Sequence, residues 1–344
     1  MRTVYASISD IDSAATIHYT PNTRASIKNK LIAAADRADE LCRQQFYPNI
    51  RTKRFNRDTP GAIEDGGTLF TDTDWLELDQ VTLNGDIIPP ADLVELRDYF
   101  GLRFDSIGLL SNSQYAWTQA TDEWYSIMVT GTTGYSNNTH HIASLTSDIT
   151  DTETILVTPG SNKLDVGALI RINDEWLHIV DRDWTTSAAV TISDITIDQT
   201  TIDTNVATWV PGDRLRIGWE QLEVVDYAGT AIKVVRAVNG TTPSPHLTGA
   251  AINEWTTYTV ERGVNGSTPA PHLTGAAISQ WQPPAGVKEH SIAYVLTHLG
   301  QEASSYNRTI GTGDQQREAT GRGLDTITRT LVADYRRRRN LRIA

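Results

Sequence analysis

Residues 235–255 read VRAVNGTTPSPHLTGAAINEW, and residues 261–281 read ERGVNGSTPAPHLTGAAISQW. The two stretches agree at 15 of 21 positions at an offset of 26 residues, which makes them an internal duplication. Each carries an Asn-Gly pair, Asn239-Gly240 or Asn265-Gly266, suited to left-handed turn conformations. A chain that repeats such a unit must fold it twice, and its turn chemistry predicts strands rather than helices.

A weaker repeat lies upstream. VGALIRINDEWLHIVD (166–181) aligns with PGDRLRIGWEQLEVVD (211–226), 45 residues further on. Each copy predicts two strands around a two-residue turn, Asn173-Asp174 in one and Gly218-Trp219 in the other. The copies run front, front, back, back, with unequal offsets that a tandem array does not give. They fit nesting, with an inner unit at 196–255 inserted in an outer unit made of 152–182 plus 256–281. Residues 150–281 are rich in Thr, Ile and Val with regularly spaced turn signals, the pattern of a small barrel or sandwich.

Outside this segment the period changes. RASIKNKLIAAADRADELCRQQF sets Ile27, Leu31, Ala34, Ala38, Leu41 and Gln45 at steps of three and four, which predicts an amphipathic helix over 23–46. Tyr47-Pro48 ends it. Residues 49–141 read as short strands, with a hairpin signal at Asn84-Gly85. Past Pro283-Pro284 the helical period returns over 287–299 and 315–339. The expected fold class is therefore α+β. A small helical bundle with a short β-sheet would form from 1–141 and 282–344. An inserted all-β domain at 142–281, barrel or sandwich, would be built of two nested similar units. Isolated amphipathic helices are marginal in water, so the three helices are expected to pack on one another with the insertion projecting from one side.

Bulk properties narrow the function. With 344 residues, 39% hydrophobic and 21% charged, the chain is apolar enough to fold and long enough for two cores. It shows no run of the roughly 18–20 apolar residues that a bilayer span needs, and no secretory leader. Its single cysteine, Cys42, suits a reducing compartment. Net charge is −12. Residues 1–141 carry 19 acidic against 12 basic side chains, 142–281 carry 17 against 8, and 282–344 carry 6 against 10. An acidic body with a basic tail suggests a partner for the tail.

The flanking segments resemble the head–tail connector, or adaptor, proteins of long-tailed bacteriophages. The residues that carry the resemblance are ADELCRQQFYP (38–48), the Thr52-Lys-Arg-Phe55 strand, Trp75-Leu-Glu-Leu-Asp79 with Val81-Thr-Leu-Asn-Gly85, and the stretch from Trp124 to Tyr135. In the family that last stretch runs directly into a helix like 287–299. The resemblance implies a virion structural protein forming a ring between portal and tail, usually of about twelve copies, that extends the DNA channel and docks the tail. Implied partners are other copies of itself, the portal protein and a tail-side neck or tail-terminator protein, with packaged DNA only as passing cargo and no membrane. Such a protein is made in the host bacterial cytoplasm and ends in the virion neck. An acidic ring wall would repel DNA and let it slide. The alternative is a phage protein that binds a host surface or glycan through the 142–281 module.

Candidate contact residues follow from these readings. Tyr335, Arg336, Arg337, Arg338, Arg339 and Leu341 either meet the portal or the DNA channel, or form a solvated helix end whose cations suit the helix dipole. Trp219, placed in a predicted turn, is the candidate exposed aromatic facing a ligand, whereas Trp176, Trp184, Trp209, Trp255 and Trp281 are expected to fill β cores. His246 and His272 hold matched places in Pro-x-Pro-His, and a structural histidine bonded to a loop carbonyl is the expectation for both. No nucleotide loop, nucleophile elbow or metal-ligand cluster stands out, so neither catalysis nor a cofactor nor a metal is expected.

Overall fold

The protein is described by a computed structural model covering residues 3–14, 21–56, 58–59, 62–64, 67–97, 103–121, 123–158, 164–206, 209–238, 241–303, 309–310, 317–318 and 322–336. The chain divides into two compact units. One comprises 1–42, 139–264 and 268–344, and the other 43–138 with 265–267.

The first unit opens with α1 (Ile8–Ala14) and α2 (Pro21–Cys42). On α2 the buried positions are Ile27, Leu31, Ala34, Ala35, Ala38 and Cys42, the three-and-four spacing that one helix face requires. The helix stops short of the expected end at 46, with Arg43 in a left-handed conformation at φ 54°.

The second unit is a seven-stranded antiparallel sheet. Its strands are β1 (Asn49–Phe55), β2 (Ile63–Glu64), β3 (Thr68–Leu83), β4 (Asp86–Ile87), β5 (Leu93–Arg97), β6 (Phe104–Leu109) and β7 (Ile127–Thr133). The order is β1-β7-β3-β6-β5, with β2 and β4 paired to β3. Strand β7 alternates buried and half-buried residues along its length, so one face looks into a core of Phe55, Leu69, Trp75, Ile107, Trp117 and Val129. Asn84 and Gly85 both take positive φ, 53° and 94°, and turn β3 into β4 where the sequence places the hairpin.

The first unit then continues with a ten-stranded antiparallel sheet. It contains β8 (Thr139–Ser144), β9 (Ile155–Val157), β10 (Leu169–Ile172), β11 (Glu175–Val190), β12 (Thr201–Asp203), β13 (Arg214–Ile217), β14 (Glu220–Ala228), β15 (Ala231–Val235), β16 (Ala251–Glu261) and β17 (Ala277–Trp281). The order β12-β15-β14-β13-β16-β11-β10-β17-β8, with β9 on β16, is an open path. Helix α3 (Ala285–Ala303), the short β18 (Thr309–Ile310) and β19 (Arg317–Glu318), and α4 (Arg322–Tyr335) complete it.

Strand pairing follows the duplication residue by residue. Ile170, Arg171 and Ile172 of β10 face Gln280, Ser279 and Ile278 of β17, while Leu215, Arg216 and Ile217 of β13 face Glu254, Asn253 and Ile252 of β16. The first front half thus pairs with the second back half, and the second front half with the first back half. Two separate cores result. One gathers Leu156, Ile170, Leu177, Tyr258, Val260 and Ile278, and the other the matching Ile202, Leu215, Leu222, Ile232, Val234 and Ile252. The long strands β11 and β16 lend one half of their length to each.

This architecture corrects the expected fold class. The chain is mostly β, with two large antiparallel sheets, and is not a small helical bundle beside a short sheet. The helices do touch one another, α2 against α3 and α3 against α4. They complete their burial on the ten-stranded unit, however, through a shared cluster of Val4, Ile8, Ile27, Leu31, Val166 and Val295. An alanine-rich helix such as α2 buries too little apolar area to hold a bundle alone. The preceding segment ties in as well: Thr3 Oγ1 lies 2.7 Å from His178 Nε2, and the Ser9 amide donates to Asp165 at 2.5 Å.

Candidate functional site

Each β unit is knotted by the same group of side chains. In the outer one, Glu175 at the start of β11 accepts Nε of Arg262 at 2.8 Å and Nη2 at 2.7 Å. It also accepts the amides of Gly263 at 3.0 Å and Ala270 at 3.1 Å, and lies 2.8 Å from His272 Nε2. A carboxylate only accepts, so Nε2 of His272 carries the hydrogen, and Nδ1 takes one from Asn173 Nδ2 at 3.2 Å. Arg262 spends its other hydrogens on the carbonyls of Thr150, Glu153 and Ala270.

The inner unit repeats this with Glu220, Arg236 and His246. Arg236 Nε and Nη2 each lie 2.6 Å from the Glu220 oxygens, and His246 Nε2 lies 2.8 Å away. The remaining guanidinium hydrogens go to the carbonyls of Thr196, Gln199 and Ser244. Close by, Thr274 donates its amide and hydroxyl to Asp148 at 2.6 and 2.7 Å, and Thr248 does the same to Asp194 at 2.7 and 2.8 Å.

The electrostatics are those of a clamp. Burial pushes the Glu175 carboxyl up, but the donors from Arg262, Ala270, His272 and Gly263 outweigh it and leave it below the usual carboxylate range. Glu220 behaves alike: burial raises it, and Arg236, His246 and the Ser244 amide bring it down. Five donors fill the Glu175 oxygens and four converge on those of Glu220, and both carboxylates are closed to solvent. The arrangement pins the Pro-x-Pro loop of each repeat to the base of its hairpin. The two histidines therefore bond a carboxylate, where the sequence reading expected a loop carbonyl. Among the described residues no group of three or more His, Cys, Asp or Glu is placed to hold a metal ion.

The candidate contact residues fall in different places. Tyr335 is half-buried over α3, so close that a Cβ on Gly286 would stand 2.9 Å from its ring. Arg336 is exposed one residue later. Arg337, Arg338, Arg339 and Leu341 lie outside the described residues. Trp219 sits in the β13–β14 turn at 89% exposure, while Trp176, Trp209, Trp255 and Trp281 are buried and Trp184 is half-buried.

Sequence reasoning missed the glutamates of the clamp and the aspartates beside it. A signal was there: Ser147-Asp148-Ile149-Thr150 recurs as Ser193-Asp194-Ile195-Thr196, and Glu175 and Glu220 align in the weaker repeat.

No family model, no curated protein and no solved structure matches the chain. No described helix is long and apolar enough to cross a membrane.

Proposed function

We propose that this chain is a non-enzymatic structural protein of a long-tailed phage virion, an adaptor that assembles as a ring between portal and tail. One observation carries the reading. Of the segments that resemble the connector family, the three after residue 48 fall on three adjacent strands, β1-β7-β3, of a single sheet with one core, and the β module enters the chain between β7 and α3. That is the junction at which the resembled family passes directly from strand to helix. Buried charge-assisted bonds tie the loops of both units to their hairpins, which suits a part whose task is to be held in place. A net charge of −12 per subunit suits a conduit wall that does not grip DNA.

The test uses the full chain, because the helices share a core with the β module and deleting 142–281 would strip that core away. The purified chain is mixed with the portal protein encoded beside it and imaged by electron microscopy. Rings seated on the portal are the expected result. Absence of both rings and portal association at micromolar concentrations overturns the assignment.

A further inference from the structure

The duplication supplies an internal control for the surface. The outer and inner units share their core and clamp, so a position that is exposed in both is free to differ for reasons other than folding. The match extends a few residues upstream of each unit, through Ser147–Thr150 and Ser193–Thr196, and at three exposed matched positions the outer side carries Thr146, Asp151 and Asp174 where the inner side carries Ile192, Ile197 and Trp219. The inner side chains are 52%, 50% and 89% exposed.

These residues gather around one bridge. The Ile195 amide donates to the His246 carbonyl at 2.7 Å and the His246 amide returns to Ile195 at 3.0 Å. That bridge, with the Thr191 hydroxyl donating to the Leu247 carbonyl at 2.9 Å, ties the Ile192–Ile197 loop to the segment that carries exposed Leu247. The Gly218-Trp219 turn lies against the same histidine, since a Cβ on Gly218 would be 3.9 Å from its Cε1. Exposed Asp194 and Asp198 rim the cluster, and the two Thr248 donors hold Asp194 below the usual carboxylate range. Folding does not require this apolar surface, because the sister unit folds with hydroxyl and carboxylate groups in its place. Aliphatic groups around the tryptophan, instead of planar amides or further rings, suit a protein side chain better than a sugar.

We propose that this acid-rimmed apolar patch of the inner unit docks the basic segment 337–344 of a second copy of the chain. That segment reads RRRNLRIA, with four arginines, Leu341 and Ile343, and no acidic residue. Its cations match Asp194 and Asp198, and its two aliphatic side chains match the Ile192, Ile197, Trp219 and Leu247 surface. A contact between two different surfaces of identical subunits is heterologous and generates a ring when the rotation closes. The inference rests on the self-assembly proposed above and gives it a specific joint.

The test is direct binding of a labelled peptide with the sequence of 336–344, followed by fluorescence anisotropy. The receptor is a chain ending at Arg336, so that no tail competes. Saturable binding is expected. It should weaken by about tenfold or more in the variant Ile192→Thr, Ile197→Asp, Trp219→Asp, which installs the sister unit's own residues. The variant adds two carboxylates, so a purely electrostatic attraction would strengthen instead. A peptide with Leu341→Ser and Ile343→Ser should lose binding, and Leu273→Asp in the outer unit should leave it unchanged. Equal affinity for the triple variant, equal affinity for the serine peptide, or no binding at about 100 μM each overturns the joint. Portal association is read separately, so loss of the joint and loss of the adaptor reading are distinguishable.

Discussion

Arg262 meets Glu175 fork to fork, Nε to Oε1 at 2.8 Å and Nη2 to Oε2 at 2.7 Å, with both side chains withdrawn from solvent. Removing one partner leaves the other charge buried and unpaired. Arg262→Met is therefore expected to destabilise the protein by about 3–5 kcal/mol. Arg262→Lys should recover little, because one ammonium cannot span both oxygens and the surrounding carbonyls. Arg236→Met in the inner unit should cost a similar amount. Chemical denaturation of the three variants measures this, and a loss below about 1 kcal/mol at either site would remove the clamp as a folding determinant.

The same clamp sets an acid limit. Glu175 and Glu220 titrate below their usual 4.5, so their stabilisation is complete above that value and is lost as pH falls through the depressed folded pKa. His290 acts in a higher window. Burial, then the nearby Arg37 charge, lowers it from 6.5, so the folded state favours the neutral ring and stability erodes as pH drops from 6.5 toward the lowered value. Urea midpoints from pH 8 to pH 3 should fall in two stages, the first absent in His290→Leu and the second reduced in Glu175→Gln. A wild-type midpoint constant from pH 8 to pH 5 contradicts the histidine term.

Gly131 tests the seven-stranded sheet separately. A Cβ there would stand 2.3 Å from the Glu77 carbonyl oxygen and 3.1 Å from the Leu78 Cα, both backbone atoms of β3 beside its register shifts. Neither can swing aside. Gly131→Ala should lose about 2–4 kcal/mol, whereas Gly67→Ala, with nothing within 4 Å, should stay within about 0.5 kcal/mol of wild type. Equal melting temperatures for the two variants would show that β3 and β7 do not approach as described.

Much of the ten-stranded unit was legible because its signal is doubled. Two copies of VNG-x-TP-x-PH exposed the nested order, and the pairing of Arg171 with Ser279 and Arg216 with Asn253 follows that order. The clamp was half legible. Arg262 and His272 stand in the strong repeat, but their glutamate lies 87 residues before the arginine in the weak one, and no local period links them. The balance between helix and sheet was misjudged for a physical reason. Period shows that a stretch has an apolar face and is silent on what covers it. Ile27 and Leu31 meet Val166 of the β unit as well as Val295 of α3. The patch around Trp219 was visible as one aromatic in a turn, and became a surface only once Ile192 and Ile197 could be compared with Thr146 and Asp151.

Cys42 offers a probe of the helical end of the first unit. Burial, then the Asp39 charge, pushes its thiol up to about 11 against the opposing pull of Arg336. The thiolate is the reactive form, so Cys42 should resist a disulfide reagent at pH 8 in the native protein and react fully once denaturant is added. Rapid labelling under native conditions would show that α2 and α4 open there.

The two β units join across a ladder of aromatic and cationic groups. Arg182 places Cζ 3.2 Å from the Trp255 ring centre, Trp255 stacks on Trp184 at 4.0 Å, and Arg216 places Cζ 5.1 Å from the Trp184 ring centre. Trp184 and Trp255 pair across β11 and β16 at a register shift, where those strands pass from one core to the other. Arg182 also meets buried Asp165 at 2.9 Å, so truncating it strands a carboxylate as well as a ring face. Trp255→Ala should cost about 3–5 kcal/mol from the volume lost. In a double-mutant cycle, Arg182→Met and Trp255→Leu should couple by about 1–2 kcal/mol, since the contact is desolvated, while Arg216→Met and Trp184→Leu should couple by about 0.5–1 kcal/mol. Trp184 is only half-buried, which is why its pair is expected to be weaker. Additive losses for Arg182 and Trp255 would mean that the units are joined by backbone pairing alone, without help from the ladder.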